Sequence, residues 1–307
     1  DGSPWPKISI VTPSYNQGRF IEETIRSVLL QGYPNLEYIV MDGGSTDESV
    51  EIIQKYDPWI DYWVSEEDKG QSDAINKGLR RTNGTIWAYV NSDDMYMPGA
   101  FAAVAQAAHQ NSDAQWITGT GLYIRGQDLD HVIRPLKPDP DCTREQAFLV
   151  WEHYGTSIAS AEVSNFMRRR VLDEYGYYDE SLDYVMDYDL GLRLMLDDVY
   201  PHVIDQVLGK ARLHEQSKTV SMGPQGYFRK EQYKVIKRYL DDLPPEERKV
   251  VHKGLTQAQL FSRLSKILDE DERSGIERAA ELVHDLADQP HLLISRPVLG
   301  CFRRLLT

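Results

Sequence analysis

Apolar residues in the first hundred positions form short, β-branched runs. Each run is followed by a polar loop and then by apolar residues at helical spacing. Residues 8–12 make the first run, which Pro13 ends, and they read as a buried strand. After a loop at 14–18, Ile21, Ile25, Val28 and Leu29 recur at the helical period, with Gly32 as a stop. Residues 36–41 form a second strand with its exit loop at 42–48. Ser45 and Glu48 have capping-box spacing, which predicts a helix starting there and carrying Val50, Ile52 and Ile53. Residues 59–64 give a third strand, and Ala74, Ile75 and Leu79 mark a short helix. Residues 85–90 give a fourth strand, running directly into Asn91-Ser92-Asp93-Asp94.

This alternation predicts right-handed βαβ units and a doubly wound, mostly parallel sheet. Such sheets bind ligands at the carboxyl ends of their strands. The polar loops at 13–18, 42–47 and 91–94 all fall on that edge. The second half is less regular. Residues 114–125 suggest two strands broken at Gly119 and Gly121, and the prolines of 134–141 suggest a loop. A strand enters a helix over 166–174, a helix spans 187–196, and 202–214 read as two strands divided at Leu208-Gly209. Beyond Gly226 the pattern turns to charged, amphipathic helices. The expected division is a catalytic domain at 1–223 and a helical extension at 224–307. Within the domain, a nucleotide-binding half covers about 7–110 and an acceptor-binding half about 111–223.

Composition narrows the function classes. A 307-residue chain can bury a substantial core, and no apolar run is long enough to span a membrane. Residues 1–6 lack the basic and apolar parts of a signal peptide. Cys142 and Cys301 form no zinc cluster or disulfide framework, which points to a reducing cytoplasm. A formal net charge of -14 argues against nucleic acid as a partner. In the tail, Arg296, Arg303 and Arg304 interleave with Leu299, Phe302, Leu305 and Leu306. Such a basic amphipathic end can dock on the catalytic domain, pair two copies as a homodimer, or lie peripherally on the inner membrane. Docking is the preferred expectation.

Asp93 and Asp94 leave an apolar strand side by side, and two such carboxylates need a counter-charge. Mg²⁺ or Mn²⁺ supplies one through hard oxygen ligands shared with substrate phosphates. The structural alternative is a solvated turn. The run 8–16 (Ile-Ser-Ile-Val-Thr-Pro-Ser-Tyr-Asn) resembles the opening strand of family 2 glycosyltransferases. Residues 42–47 (Asp-Gly-Gly-Ser-Thr-Asp) are similar to that family's second loop. Residues 91–94 stand at its Asp-x-Asp motif, 187–193 resemble its acceptor-side helix, and 214–219 its closing motif in one bacterial branch. The five lie in order and in register over about residues 7–220.

The resemblance implies a GT-A fold (α/β, Rossmann-like) and inverting transfer from a nucleotide-sugar, UDP above all, to a glycan or lipid-linked glycan acceptor in bacterial surface-glycan synthesis. It implies that Pro13 and Tyr15 flank the nucleoside and that Asp42 accepts from the base. Lys69, Asp73 and Asn76 would face the same pocket. Asp93 would hold the metal, and Asp94, Ser92 and Asn91, which replaces the motif's first Asp, would assist. Asp187 would be the general base, with Met186 standing where many relatives carry Glu. His214 would complete the metal site and Lys218 would neutralise phosphate. Asp187 also suits a helix cap, and Asp189 reads as structural, paired with Arg193 four residues on. The aromatics Trp151, Tyr154, Phe166, Tyr175, Tyr177, Tyr178 and Tyr184 are divided between acceptor stacking and core. A sugar-nucleotide-binding protein without turnover is the alternative. The absence of a Gly-x-Gly-x-x-Gly turn after the first strand argues against a dinucleotide-dependent oxidoreductase.

Overall fold

The computed structural model describes residues 5–126, 128–149, 162–221 and 226–256. Strand and helix alternate at first as the periodicity predicts. The order is β1 (Ile8–Ser14), α1 (Ile21–Leu29), β2 (Leu36–Asp42), α2 (Ser49–Lys55), β3 (Tyr62–Ser65), α3 (Gln71–Arg81) and β4 (Ile86–Tyr89). β1 lies between β2 and β4, β3 lies outside β2, and all three pairings are parallel. Every residue of β1 is buried, as a strand covered on both faces requires. Because the strands run the same way, the loops after β1 and β2 and the turn after β4 share one edge.

The chain continues through β5 (Met95–Tyr96), α4 (Ala100–Gln110), β6 (Trp116–Arg125), β7 (Asp128–Leu136) and α5 (Arg144–Phe148). Then come β8 (Asn165–Arg168), α6 (Arg169–Tyr175), α7 (Met186–Leu196), β9 (His202–Leu213), α8 (Lys218–Ser221) and α9 (Tyr227–Tyr239). The described strands form one sheet, ordered β3-β2-β1-β4-β8-β6-β9-β5, with β7 on β6. Antiparallel pairing enters where β8 sits between β4 and β6 and where β5 meets β9. The result is the expected α/β architecture: a mostly parallel sheet with an antiparallel insertion, flanked by helices. Ile8, Ile10, Ile25, Val40, Phe101 and Phe166 are among the residues of its main core.

Several local expectations are corrected. Pro13 does not end β1; it pairs opposite Met41 within the strand. Trp59 belongs to a 3-10 turn, Asp57–Trp59, ahead of β3. The capping box at Ser45 and Glu48 does not form. Ser45 instead donates to Asp42 Oδ1 at 2.6 Å, and the Ser49 N–H goes to Asp47 Oδ1 at 3.0 Å. β6 is one strand rather than two. Gly119 lies inside it because a Cβ there would stand 2.6 Å from the Gln206 carbonyl oxygen of β9. β9 is likewise continuous through Leu208-Gly209, and Arg134 and Pro135 belong to β7.

The chain divides into two compact units, one ending at Tyr239 and one beginning at Leu240. In the second, a 3-10 turn at Leu240–Asp242 precedes a helix that runs from 245 through 256, with Val251 and Leu255 buried. The expectations for residues 257–307, including Arg296, Cys301, Arg303 and Arg304, and those for Trp151 and Tyr154, lie outside the described residues. Among the described residues, no helix is long and apolar enough to cross a membrane.

Candidate active site

The shared strand edge opens onto a cavity of about 570 Å³. Pro13, Ser14 and Tyr15 from β1 and its loop, Gly43, and Asn91 to Asp94 line it. So do Asp187 at the start of α7, Glu162, and Gln216 to Thr219. The residues before 100 and those after 160 thus meet here.

The nucleotide-side loops are tied together by backbone donors. Asn16 takes a left-handed conformation, φ 51°, and its N–H donates to Ser45 Oγ at 2.8 Å. The N–H of Thr46 returns to Asn16 Oδ1 at 2.8 Å, and Gly18 N–H meets Asp47 Oδ2 at 2.9 Å. Asp42 lies under this loop, buried. Its carboxylate accepts from the N–H groups of Gly44 and Ser45 and from the hydroxyls of Ser45 and Ser65. Asp42 therefore holds the loop's shape behind the cavity wall.

Lys69, Asp73 and Asn76 belong to α3 and its approach, and the lining residues do not include them. Asp73 accepts the Lys69 N–H at 3.0 Å and pairs with Lys77 at 3.1 Å. Burial pushes its carboxyl up, but these partners outweigh burial and hold it below its usual value. Asn76 is buried and exchanges hydrogen bonds with the Tyr178 backbone, Nδ2 to O at 2.9 Å and N to Oδ1 at 3.1 Å.

The acidic turn is gripped from three directions. Thr24 of α1 donates to the Asp94 carbonyl at 2.6 Å. From β9, the Arg212 N–H donates to Asp94 Oδ1 at 2.8 Å, and the Arg212 guanidinium donates to the Asp93 carbonyl at 2.9 Å. His214 Nε2 lies 2.9 Å from Asp93 Oδ2, with its ring packed on Phe20 at 4.7 Å between centroids. A polar chain crosses the cavity mouth: Lys218 Nζ donates to Gln71 Oε1 at 2.9 Å, and Gln71 Nε2 donates to Asn91 Oδ1 at 2.6 Å. Asn91 Nδ2 then reaches Asp94 Oδ2 at 3.3 Å.

Several carboxyls here resist ionisation. Burial, with Asp93 and Glu162 nearby, drives the Asp94 carboxyl well above its usual value. Burial and the Asp187 carboxylate raise Glu162 to about 7, and burial raises Asp187. Among the described residues, no three His, Cys, Asp or Glu side chains form a complete metal cage. Asp93 and His214 fit the other arrangement, in which a hard ion takes two protein donors and completes its shell with substrate phosphates and water. Three buried polar atoms on the cavity walls, Ser14 Oγ, Gln17 Oε1 and Tyr89 Oη, have no hydrogen-bond partner among the described residues. Native proteins rarely leave such atoms unpaired without a ligand or water to meet them.

α7 is fixed from behind. Asp189 is buried and accepts from Arg193 at 3.0 Å, Arg238 at 3.1 Å and the Tyr239 hydroxyl at 3.0 Å. Met186 faces α3, where Ser72 Oγ lies 2.7 Å from its sulfur. Of the aromatics considered, Tyr184 lines the cavity, whereas Phe166 and Tyr178 are buried. Glu162, Tyr89, Gln71 and Arg212 escaped the sequence reading, since each is a single residue outside any recognised motif.

Comparison with known proteins agrees with this geometry. An uncharacterised glycosyltransferase of Rickettsia typhi is 28% identical over 218 residues, 70% of this chain and 66% of the relative. TuaG of Bacillus subtilis, a glycosyltransferase provisionally assigned to teichuronic acid biosynthesis, is 36% identical over 132 residues, 42% of this chain and 52% of TuaG. The chain therefore spans less than two thirds of the length of either relative. Among solved structures, residues 1–349 of S. aureus TarS in complex with UDP-GlcNAc align with TM-score 0.63 at 17% identity, covering 97% of this chain and 90% of that one. A Pyrobaculum calidifontis mannosyltransferase in complex with GDP-Man and Mn²⁺ aligns with TM-score 0.60 at 17% identity, covering 99% and 88%. These likenesses establish the GT-A fold. The family model described as Glycosyl transferase family 2 matches residues 9–175, more than half of the chain, and the protein belongs to that family.

Proposed function

We propose that the protein transfers a sugar from a nucleotide-sugar, preferably a UDP-sugar, to an acceptor hydroxyl with inversion at the anomeric carbon. The observation that carries this reading is that Asp187 and the Asp93-Asp94 turn, far apart in sequence, line one cavity. Asp187 is the general base: it takes the proton of the acceptor hydroxyl as that oxygen attacks the anomeric carbon. Asp93 and His214 hold Mn²⁺ or Mg²⁺, which when bound neutralises charge on the departing diphosphate. Lys218 adds a point charge on the same side. Pro13 and Tyr15 flank the nucleoside, and Asp42 shapes the loop that receives it. Asn91 and Ser92 contact ribose or phosphate, and Asp94 assists the metal. Lys69, Asp73 and Asn76 support the pocket through α3.

The acceptor is a glycan or lipid-linked glycan of the bacterial surface. The family membership and the teichuronic acid assignment of TuaG support that placement. Residues 1–223 act as the catalytic domain, in the cytoplasm or at the inner face of the membrane.

Incubation of the purified protein with UDP-, GDP- and dTDP-sugars and Mn²⁺ tests the reading through release of the nucleoside diphosphate. Release that chelator abolishes and Asp187→Asn suppresses is the expected result. Donor binding with no turnover under any condition would leave a sugar-nucleotide-binding protein instead.

A further inference from the structure

The three unpartnered polar atoms on the cavity walls divide into two groups. Ser14 and Gln17 belong to the loop after β1, on the nucleotide side. Tyr89 stands apart, at the end of β4, two residues before the acidic turn opens. Its side chain is 4% exposed, lines the cavity and carries a hydroxyl without a partner among the described residues.

The position of this ring is fixed. Alternation along β4 puts Trp87 and Tyr89 on one face of the strand. Both rings meet Tyr178 edge-on, at 6.0 and 5.5 Å between centroids. The charged neighbours the Tyr89 hydroxyl feels are Asp187, Glu162 and Asp94. Tyr89 thus shares one cavity lining with the proposed base and the proposed diphosphate anchor, the cavity a transferring sugar has to enter. Glu162 joins it from the 3-10 turn Glu162–Ser164, beside β8. A phenol and a carboxyl lining one cavity are complementary to the hydroxyls of a pyranose ring, since the pair can donate and accept.

Packing alone does not explain the residue. A buried hydroxyl without a partner costs stability, and phenylalanine would fill the same space without that cost. We infer that the Tyr89 hydroxyl, together with the Glu162 carboxyl, hydrogen-bonds ring hydroxyls of the donor's pyranosyl group and so selects the sugar. This inference rests on the glycosyl-transfer reading.

The test is calorimetric titration of wild type, Tyr89→Phe and Glu162→Gln with Mn²⁺ present. The ligands are UDP, GDP, UDP-glucose, UDP-GlcNAc and GDP-mannose. The sugar nucleotide that wild type binds should bind Tyr89→Phe about tenfold more weakly, the loss expected when a buried polar partner goes missing. The matching diphosphate should bind both forms within about twofold, and the melting temperature of Tyr89→Phe should be equal or higher. Equal weakening of diphosphate and sugar nucleotide, or no weakening of either, overturns the inference. So does wild-type binding of UDP or GDP without preference for any sugar form, and that result leaves the nucleotide site standing. Failure of wild type to bind any of the five removes the glycosyl-transfer reading, and the inference with it.

Discussion

His214 Nε2 lies 2.9 Å from Asp93 Oδ2, although 121 residues separate the two in sequence. In the proposed site both side chains turn to one divalent ion, so losing either leaves it a single protein donor. His214→Ala should weaken Mn²⁺ binding in the presence of UDP by at least about tenfold to a hundredfold, the cost of losing even an outer partner of a metal site. Titration followed by the Mn²⁺ electron paramagnetic resonance signal reads this directly. Unchanged affinity would place the metal elsewhere.

Asp187 lies at a buried helix start, and burial raises its carboxyl above the ordinary aspartate value. A general base works only when ionised, so activity should fall as pH drops through that raised value. The acid limb of kcat should therefore lie above the usual carboxylate range. Asp187→Asn should lower kcat about a hundredfold to ten-thousandfold while leaving donor binding intact. A variant with wild-type kcat would take the role of base away from Asp187.

Glu162 gives a stability signature. Its carboxyl is raised from 4.5 to about 7, first by burial and then by the Asp187 carboxylate. The folded protein therefore holds that proton more tightly than the unfolded chain. The mismatch is absent below the unfolded value and fully expressed above the folded one, so stability falls as pH rises between them. The full effect is at most about 3 kcal/mol. Glu162→Gln removes the ionisation, and its stability relative to wild type should improve from pH 5 to pH 8 in urea denaturation. A difference that stays constant over that range would mean that Glu162 ionises normally.

Gly78 places the catalytic edge through packing. It lies on the face of α3 against the sheet, where an added Cβ would stand 2.4 Å from Val11 Cγ1 and 3.2 Å from Met41 Cγ. Gly78→Ala should destabilise the protein by about 1–3 kcal/mol, the usual cost of overpacking a core. Chemical denaturation measures it, and a neutral result would show that α3 can shift outward freely.

The first hundred residues were legible because their periodicity is local. An apolar run, a polar loop and a helical stripe repeat three times before a fourth run enters the acidic turn, and parallel pairing then forces the loops to one edge. Asp93 and Asp187 could be named because each sits where a regular element begins or ends. The continuity of β6 and β9 was not legible: Gly119 looks like a break but is where β6 passes close to Gln206 and Leu208 of β9, and Gly209 is where β9 passes close to Val163 and Met95. The capping box failed for a related reason. Ser45 has a stronger partner in Asp42, and the loop after β1 claims its oxygen as well. Glu162, Tyr89 and Arg212 carry no local signal. Their meaning comes only from pairings between residues far apart in sequence, such as the approach of Arg212 to Asp93. Lys69, Asp73 and Asn76 match their motif by position, yet the structure turns the Asp73 and Asn76 side chains toward α3 and the Tyr178 backbone.

The grip on the acidic turn bears on whether this enzyme fold can be divided. Asp94 is held on one side by Thr24 and on the other by Arg212, and β5, which follows it at once, pairs only with β9 among the described strands. A fragment ending near residue 110 would keep the parallel strands and lose half of what shapes its acidic turn. Contacts across residue 110 therefore complete the turn that the earlier strands present. Recombining halves from two relatives should succeed only where the Asp94–Arg212 contact is carried over intact from a single parent.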